Sequence, residues 1–128
     1  MLRLTTGPID HQQLHEEAHF IQDFLAGAGA RVVSVCCGTG VHVDHPLFAR
    51  DVTIEVGGLS DYLLGHEKSG AFRFGQTNIS LTHDEIGLEF SFGNDDDIFC
   101  EGEESPGLVR VHDRWSLRYP HYLRRSLI

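Results

Sequence analysis

A chain of 128 residues with 41% hydrophobic and 23% charged residues is long enough for one buried core and too apolar for wholesale disorder. Its net charge of −9 argues against binding to nucleic acid by phosphate neutralisation, and no apolar run approaches the ~20 residues of a membrane span. The N-terminal residues Met1-Leu2-Arg3-Leu4-Thr5-Thr6 lack the apolar core and cleavage pattern of a signal peptide, and three cysteines, two of them adjacent, make a poor disulfide framework. A cytoplasmic protein is the expectation.

Residues 9–25 predict a helix. Asp10 stands as N-cap with Gln13 in the capping-box position, and Leu14, Ala18, Ile21 and Leu25 share one face, with Gly27 and Gly29 ending the run. Val32, Val33 and Val35 predict a strand over residues 31–37, a turn at Gly38-Thr39-Gly40, and a return strand over residues 41–44. Val52, Ile54 and Val56 alternate along a further strand over residues 51–56. After Gly57 and Gly58, residues 59–67 read as a short helix capped by Ser60, with Leu63 and Leu64 buried.

Residues 70–92 read as a hairpin. Ile86, Leu88, Phe90 and Phe92 alternate with Gly87, Glu89 and Ser91 on the second strand, and residues 82–85 make the turn. The first strand has a phase conflict, because Phe72 and Phe74 lie on one parity and Ile79 and Leu81 on the other; a bulge at Gly75-Gln76 would reconcile them. Ile98, Phe99 and Cys100 form a short apolar step between two acidic groups. Two final strands are expected at residues 108–111 and 115–117, then a short terminal helix at residues 119–127. The sum is a single α+β domain, a mostly antiparallel twisted sheet of about five to seven strands with the N-terminal helix on one face.

Three patterns carry chemistry. His15-Glu16-Glu17-Ala18-His19 resembles the His-Glu-x-x-His pattern of zinc metalloproteases, and the resemblance implies His15 and His19 as ligands and Glu16 as general base of a zinc-dependent hydrolase. The apolar stripe through Leu14, Ala18, Ile21 and Leu25 turns His19 toward solvent, so a solvated helix face is the reading preferred. The run from Val32 to Gly40, with Glu55 after the next strand, resembles the glycine-rich loop of S-adenosylmethionine-dependent methyltransferases. A plain hairpin turn is preferred there, because the chain that follows is antiparallel in character. His42, Asp44 and His45 could supply metal ligands and Cys36 or Cys37 a nucleophile, but loop and core roles are the simpler readings. No cofactor and no catalytic residue is expected.

The remaining feature is charge. Residues 106–128 hold five arginines against Asp113, a balance of +4, so residues 1–105 carry 5 − 18 = −13. Trp115, Leu117, Tyr119 and Tyr122 suggest that this basic tail docks on the acidic body. Asp95, Asp96, Asp97, Glu101, Glu103 and Glu104 crowd into ten residues after the hairpin. They are expected either to keep a sheet edge soluble or to steer a basic protein partner. A small acidic binding module follows, an inhibitor or immunity-type protein neutralising a basic partner such as a toxin. The phenylalanine-rich hairpin also suggests a homodimer.

Overall fold

The computed structural model describes residues 1–36, 52–83 and 85–128. Among them seven strands form one antiparallel sheet: β1 (Leu2–Thr5), β2 (Val32–Cys36), β3 (Val52–Glu55), β4 (Ile79–His83), β5 (Leu88–Phe92), β6 (Ile98–Gly102) and β7 (Arg124–Leu127). Their order across the sheet is β3-β2-β4-β5-β6-β1-β7. Among the described residues three helices pack with the sheet, α1 (His11–Gly27), α2 (Leu59–Lys68) and α3 (Pro106–Arg118), and a 3-10 turn at Val56–Gly58 leads into α2.

The register explains why one face is covered. Val52, Val35, Leu81, Phe90, Cys100 and Leu4 stand opposite one another in a continuous row across six strands. With side chains alternating between faces, this row and its neighbours Ile79, Phe92 and Ile98 point to the same side. There all of them but the half-buried Val52 join Leu14, Ala18, Ile21 and Phe24 of α1, Leu59 and Leu63 of α2, and Leu108, Val111 and Trp115 of α3 in a single core. The opposite face carries Thr53, Ser34, Thr82, Glu89, Glu101, Arg3 and Ser126 in one row and stays polar. No helix among the described residues is long and apolar enough to cross a membrane.

The N-terminal helix forms as its caps predict. Asp10 Oδ1 accepts from the Gln13 amide at 2.8 Å, and Gln13 Oε1 accepts from the Asp10 amide at 2.9 Å. In α2 the N-cap is Gly58 rather than Ser60; the Ser60 amide and hydroxyl both donate to Gln22 Oε1, at 2.7 and 2.8 Å, which ties α2 to α1.

The C-terminal third departs from expectation. The two strands expected at residues 108–111 and 115–117 are one helix, α3, capped by Ser105 with Pro106 in its first turn. Leu108, Val111 and Trp115 recur at helical spacing, and that period outweighs the local β-forming character of Val109, Val111 and Trp115. The terminal helix expected at residues 119–127 is a turn followed by β7, which pairs with β1. The strand β1 itself, alternating Leu2 and Leu4 inward, was not anticipated.

The hairpin is shorter than its sequence suggests. Phe72 comes just before, and Phe74 lies within, a turn in which the Gln76 and Thr77 amides both donate to the Arg73 carbonyl, so no bulge is needed. Phe72, Phe74, Ile79 and Leu81 are all buried. The return strand at residues 41–44, the glycine turn at residues 38–40 and the ligands at His42, Asp44 and His45 lie outside the described residues. The described partners of β2 are β3 and β4, both antiparallel, whereas the methyltransferase resemblance requires a parallel sheet.

Candidate functional site

Among the described residues, two places bring chemistry-bearing side chains together. The first is the turn between β5 and β6. Here the Ile9 amide donates to the Asp96 carbonyl at 2.8 Å, the Asp96 amide to the Gly75 carbonyl at 3.1 Å, and the Gly93 amide to the Asp97 carbonyl at 2.9 Å. Asp96 takes φ 58°, a left-handed conformation that aspartate tolerates better than most residues. Gly75, at φ 85°, lies against it, and a Cβ at Gly75 would overlap the Asp96 carboxylate. Asp95 and Asp96 are exposed and Asp97 half-buried.

The six acids do not form one patch. The strand β6 separates Asp97 from Glu103 by about 20 Å at ~3.3 Å per residue. At the far end the charges are answered: Glu101 accepts from Arg3 at 2.6 Å, Glu104 from Arg125 at 2.6 Å, and Glu103 lies 3.7 Å from the N-terminal ammonium. Asp95, Asp96 and Asp97 have no cationic partner within 4.0 Å among the described residues. Partial burial raises the Asp97 pKa, and the neighbouring Asp95 and Asp96 charges add to the rise against local backbone hydrogen bonds. Its Oδ1 is buried without a hydrogen-bond partner.

The second place lies between the first turn of α1 and the last turn of α2. The capping box sets His11 in the first turn of α1, and His15, four residues on, lies on the same face. Their rings are 4.3 Å apart. Opposite them, Glu67 takes His11 Nε2 on Oε2 at 2.9 Å and His15 Nε2 on Oε1 at 2.6 Å, while the Phe74 amide donates to Oε2 at 2.8 Å. Burial would raise the pKa of Glu67, but the contacts from His11, the Phe74 amide and His15 together bring it below the usual carboxylate range. Phe74 packs edge-on against His15, with centroids 5.3 Å apart. The three polar groups border a cleft of about 650 Å³ lined also by Leu64, Lys68, Phe72, Arg73 and Gln76.

The His-Glu-x-x-His segment is dispersed around the helix. His15 faces Glu67, Glu16 pairs with Arg118, and His19 is exposed. Glu17, between them, is fully buried. It accepts from Arg114 Nε at 3.1 Å and Nη2 at 2.9 Å, from Trp115 Nε1 at 2.7 Å and from the Tyr119 hydroxyl at 2.8 Å. The segment's main task is therefore to clamp α3 onto α1, and the basic tail docks on the body through it. Sequence reasoning missed His11 and Glu67. The His11/His15 spacing is visible in the chain, but Glu67 lies 52 residues from His15 and only the packing of α2 on α1 brings it there.

Neither a family model, nor a curated protein, nor a solved structure matches this chain. The reading of function therefore stands on the geometry of these two places.

Proposed function

We propose that this α+β domain is a small binding module for a basic protein partner, an inhibitor or immunity-type protein that neutralises a partner such as a toxin. The observation that carries the reading is the β5–β6 turn. Three carboxylates, the exposed Asp95 and Asp96 and the half-buried Asp97, have no cation beside them among the described residues and stand on a backbone held by three hydrogen bonds. A rigid, uncompensated cluster loses little conformational freedom on binding, and its field raises the association rate with a cationic surface. The partner-facing set is accordingly narrower than the six acids of the sequence, because Glu101, Glu103 and Glu104 already face Arg3, the N-terminus and Arg125.

The test compares two variants as bait for proteins of the native lysate. Asp95→Asn, Asp96→Asn and Asp97→Asn together keep the turn, since asparagine also accepts positive φ. Glu103→Gln with Glu104→Gln serves as the charge-matched control. A partner of basic isoelectric point held by the wild type and the control, and lost by the triple variant, supports the proposal. Equal retention by all three forms at moderate salt sinks it.

A further inference from the structure

We propose that His11, His15 and Glu67 form a binding site for a divalent cation of the zinc class, open on one side to the α1–α2 cleft. Among the described residues these three are the one group of three or more His, Cys, Asp or Glu side chains whose ligand atoms all lie within 4.8 Å of one another. Two imidazoles and one carboxylate are the donor set of three-ligand zinc sites that leave a fourth position open. Imidazole favours zinc, copper, nickel and iron over calcium and magnesium, which take oxygen ligands.

The geometry needs little change to accept the ion. Ligands of a tetrahedral zinc lie about 3.3 Å apart when each is ~2.0–2.1 Å from the metal. One ligand atom from each of the three side chains already lies within 4.8 Å of the other two, and His15 Nε2 stands 2.6 Å from Oε1, so shifts on the order of 1 Å reach that spacing. The supporting shell is already in place. Phe74 fixes Glu67 through its backbone amide on Oε2, which leaves Oε1 to face the metal, and packs its ring on His15. Both histidines stand on one rigid helix whose capping box secures the first turn. The carboxylate is mostly covered, at 13% exposure, while His11 and His15 are 46% and 33% exposed, so an ion can enter from the cleft. The exposed cations Lys68 and Arg73 border the same cleft, and the fourth position accordingly suits water or an anionic group.

This site shares only His15 with the His-Glu-x-x-His pattern and does not depend on the binding-module reading. Calorimetric titration of chelator-treated full-length protein with zinc ion alone tests it. The wild type and His19→Ala are expected to bind one equivalent with the same affinity. Loss of an outer-shell partner alone costs ~10–100-fold in metal affinity, so His11→Ala with His15→Ala is expected to lose at least ~100-fold, and Glu67→Gln at least ~10-fold. Cobalt(II) titration gives a second readout: the visible d–d absorption of a low-symmetry site appears with the wild type and disappears with His11→Gln, a size-conserving change at an exposed position. Absence of zinc binding by the folded wild type, or one-equivalent binding that survives in the double variant with less than a ~10-fold loss, overturns the proposal.

Discussion

Glu17 shows how much a single buried side chain organises. Its two carboxylate oxygens satisfy Arg114, Trp115 and Tyr119 at once, at full burial, and Arg118 Nε lies 3.7 Å away. Glu17→Ala leaves a guanidinium, an indole N–H and a phenol without their acceptor, and a loss of about 3–5 kcal/mol is expected by urea denaturation. A near-neutral result would mean that α3 is held by apolar packing alone. Cys100 makes the opposite kind of prediction. Burial, with the Glu101 charge adding, pushes its thiol up to about 12. Peptide mapping after alkylation at pH 8 should find Cys100 unlabelled in the native protein and labelled once urea is added. Asp97 has its pKa raised in the folded state, so folding favours its protonated form and the charged form costs stability. That cost is absent below the unfolded value of 3.8 and grows as pH rises through the folded pKa. Asp97→Asn should therefore raise Tm at pH 7, and the gain should shrink as pH falls toward 3.8. An acid retained at such a cost fits a residue kept for binding.

At the scale of elements, the β5–β6 turn and the loop before β4 depend on each other. Gly75 accepts the Asp96 amide on its carbonyl, holds φ 85°, and leaves room for the Asp96 carboxylate. Gly75→Ala combines a disfavoured backbone conformation with a steric overlap, and a destabilisation of about 2 kcal/mol or more is expected in thermal or urea unfolding. An unchanged midpoint would show that the Asp96 side chain has another place to go. The same turn explains how Phe72 and Phe74 reach the core. A turn reverses the facing of the chain without the constraint of strand parity, which is why alternation alone suggested a bulge. For α3 the decisive signal was present in the residues, since Ser105-Pro106 starts a helix and Leu108, Val111 and Trp115 continue one. For β7 no such signal exists: Arg124, Arg125, Ser126 and Leu127 are all exposed, and the segment is a strand because β1 offers it an open edge. The arginines on that outer edge also discourage a further strand from adding.

On the scale of the molecule, charge is sorted rather than spread. Arg114, Arg118 and Arg125 of the C-terminal third pair with Glu17, Glu16 and Glu104, whereas the three aspartates of the β5–β6 turn are the acids without a described cationic partner in their run. Binding through them should be sensitive to ionic strength: raising salt from 50 to 500 mM is expected to slow association by roughly 10-fold or more while changing dissociation little. Surface plasmon resonance against the captured partner measures both rates. A salt-independent association rate would place the contact elsewhere. The phenylalanines that prompted the expectation of a homodimer, Phe72, Phe74, Phe90 and Phe92, are all in the core at 1% exposure or less, so the hairpin presents none of them to a second copy.

What the chain by itself determined is local and periodic. The capping box and apolar stripe of α1, the alternation of β4 and β5, and the antiparallel α+β class all follow from nearest-neighbour chemistry, since cap hydrogen bonds and face periodicity involve residues within a few positions. The three aspartates were legible as a cluster for the same reason. Tertiary structure alone decided which charges are free. Glu101 meets Arg3 across 98 positions and Arg118 meets Glu16 across 102, and no local pattern encodes such pairs. It also decided that His15 works with His11 and Glu67 rather than with His19. Whether a side chain faces a neighbour or solvent depends on which helix packs there, and the packing of α2 against the first turn of α1 settles the partners of that histidine.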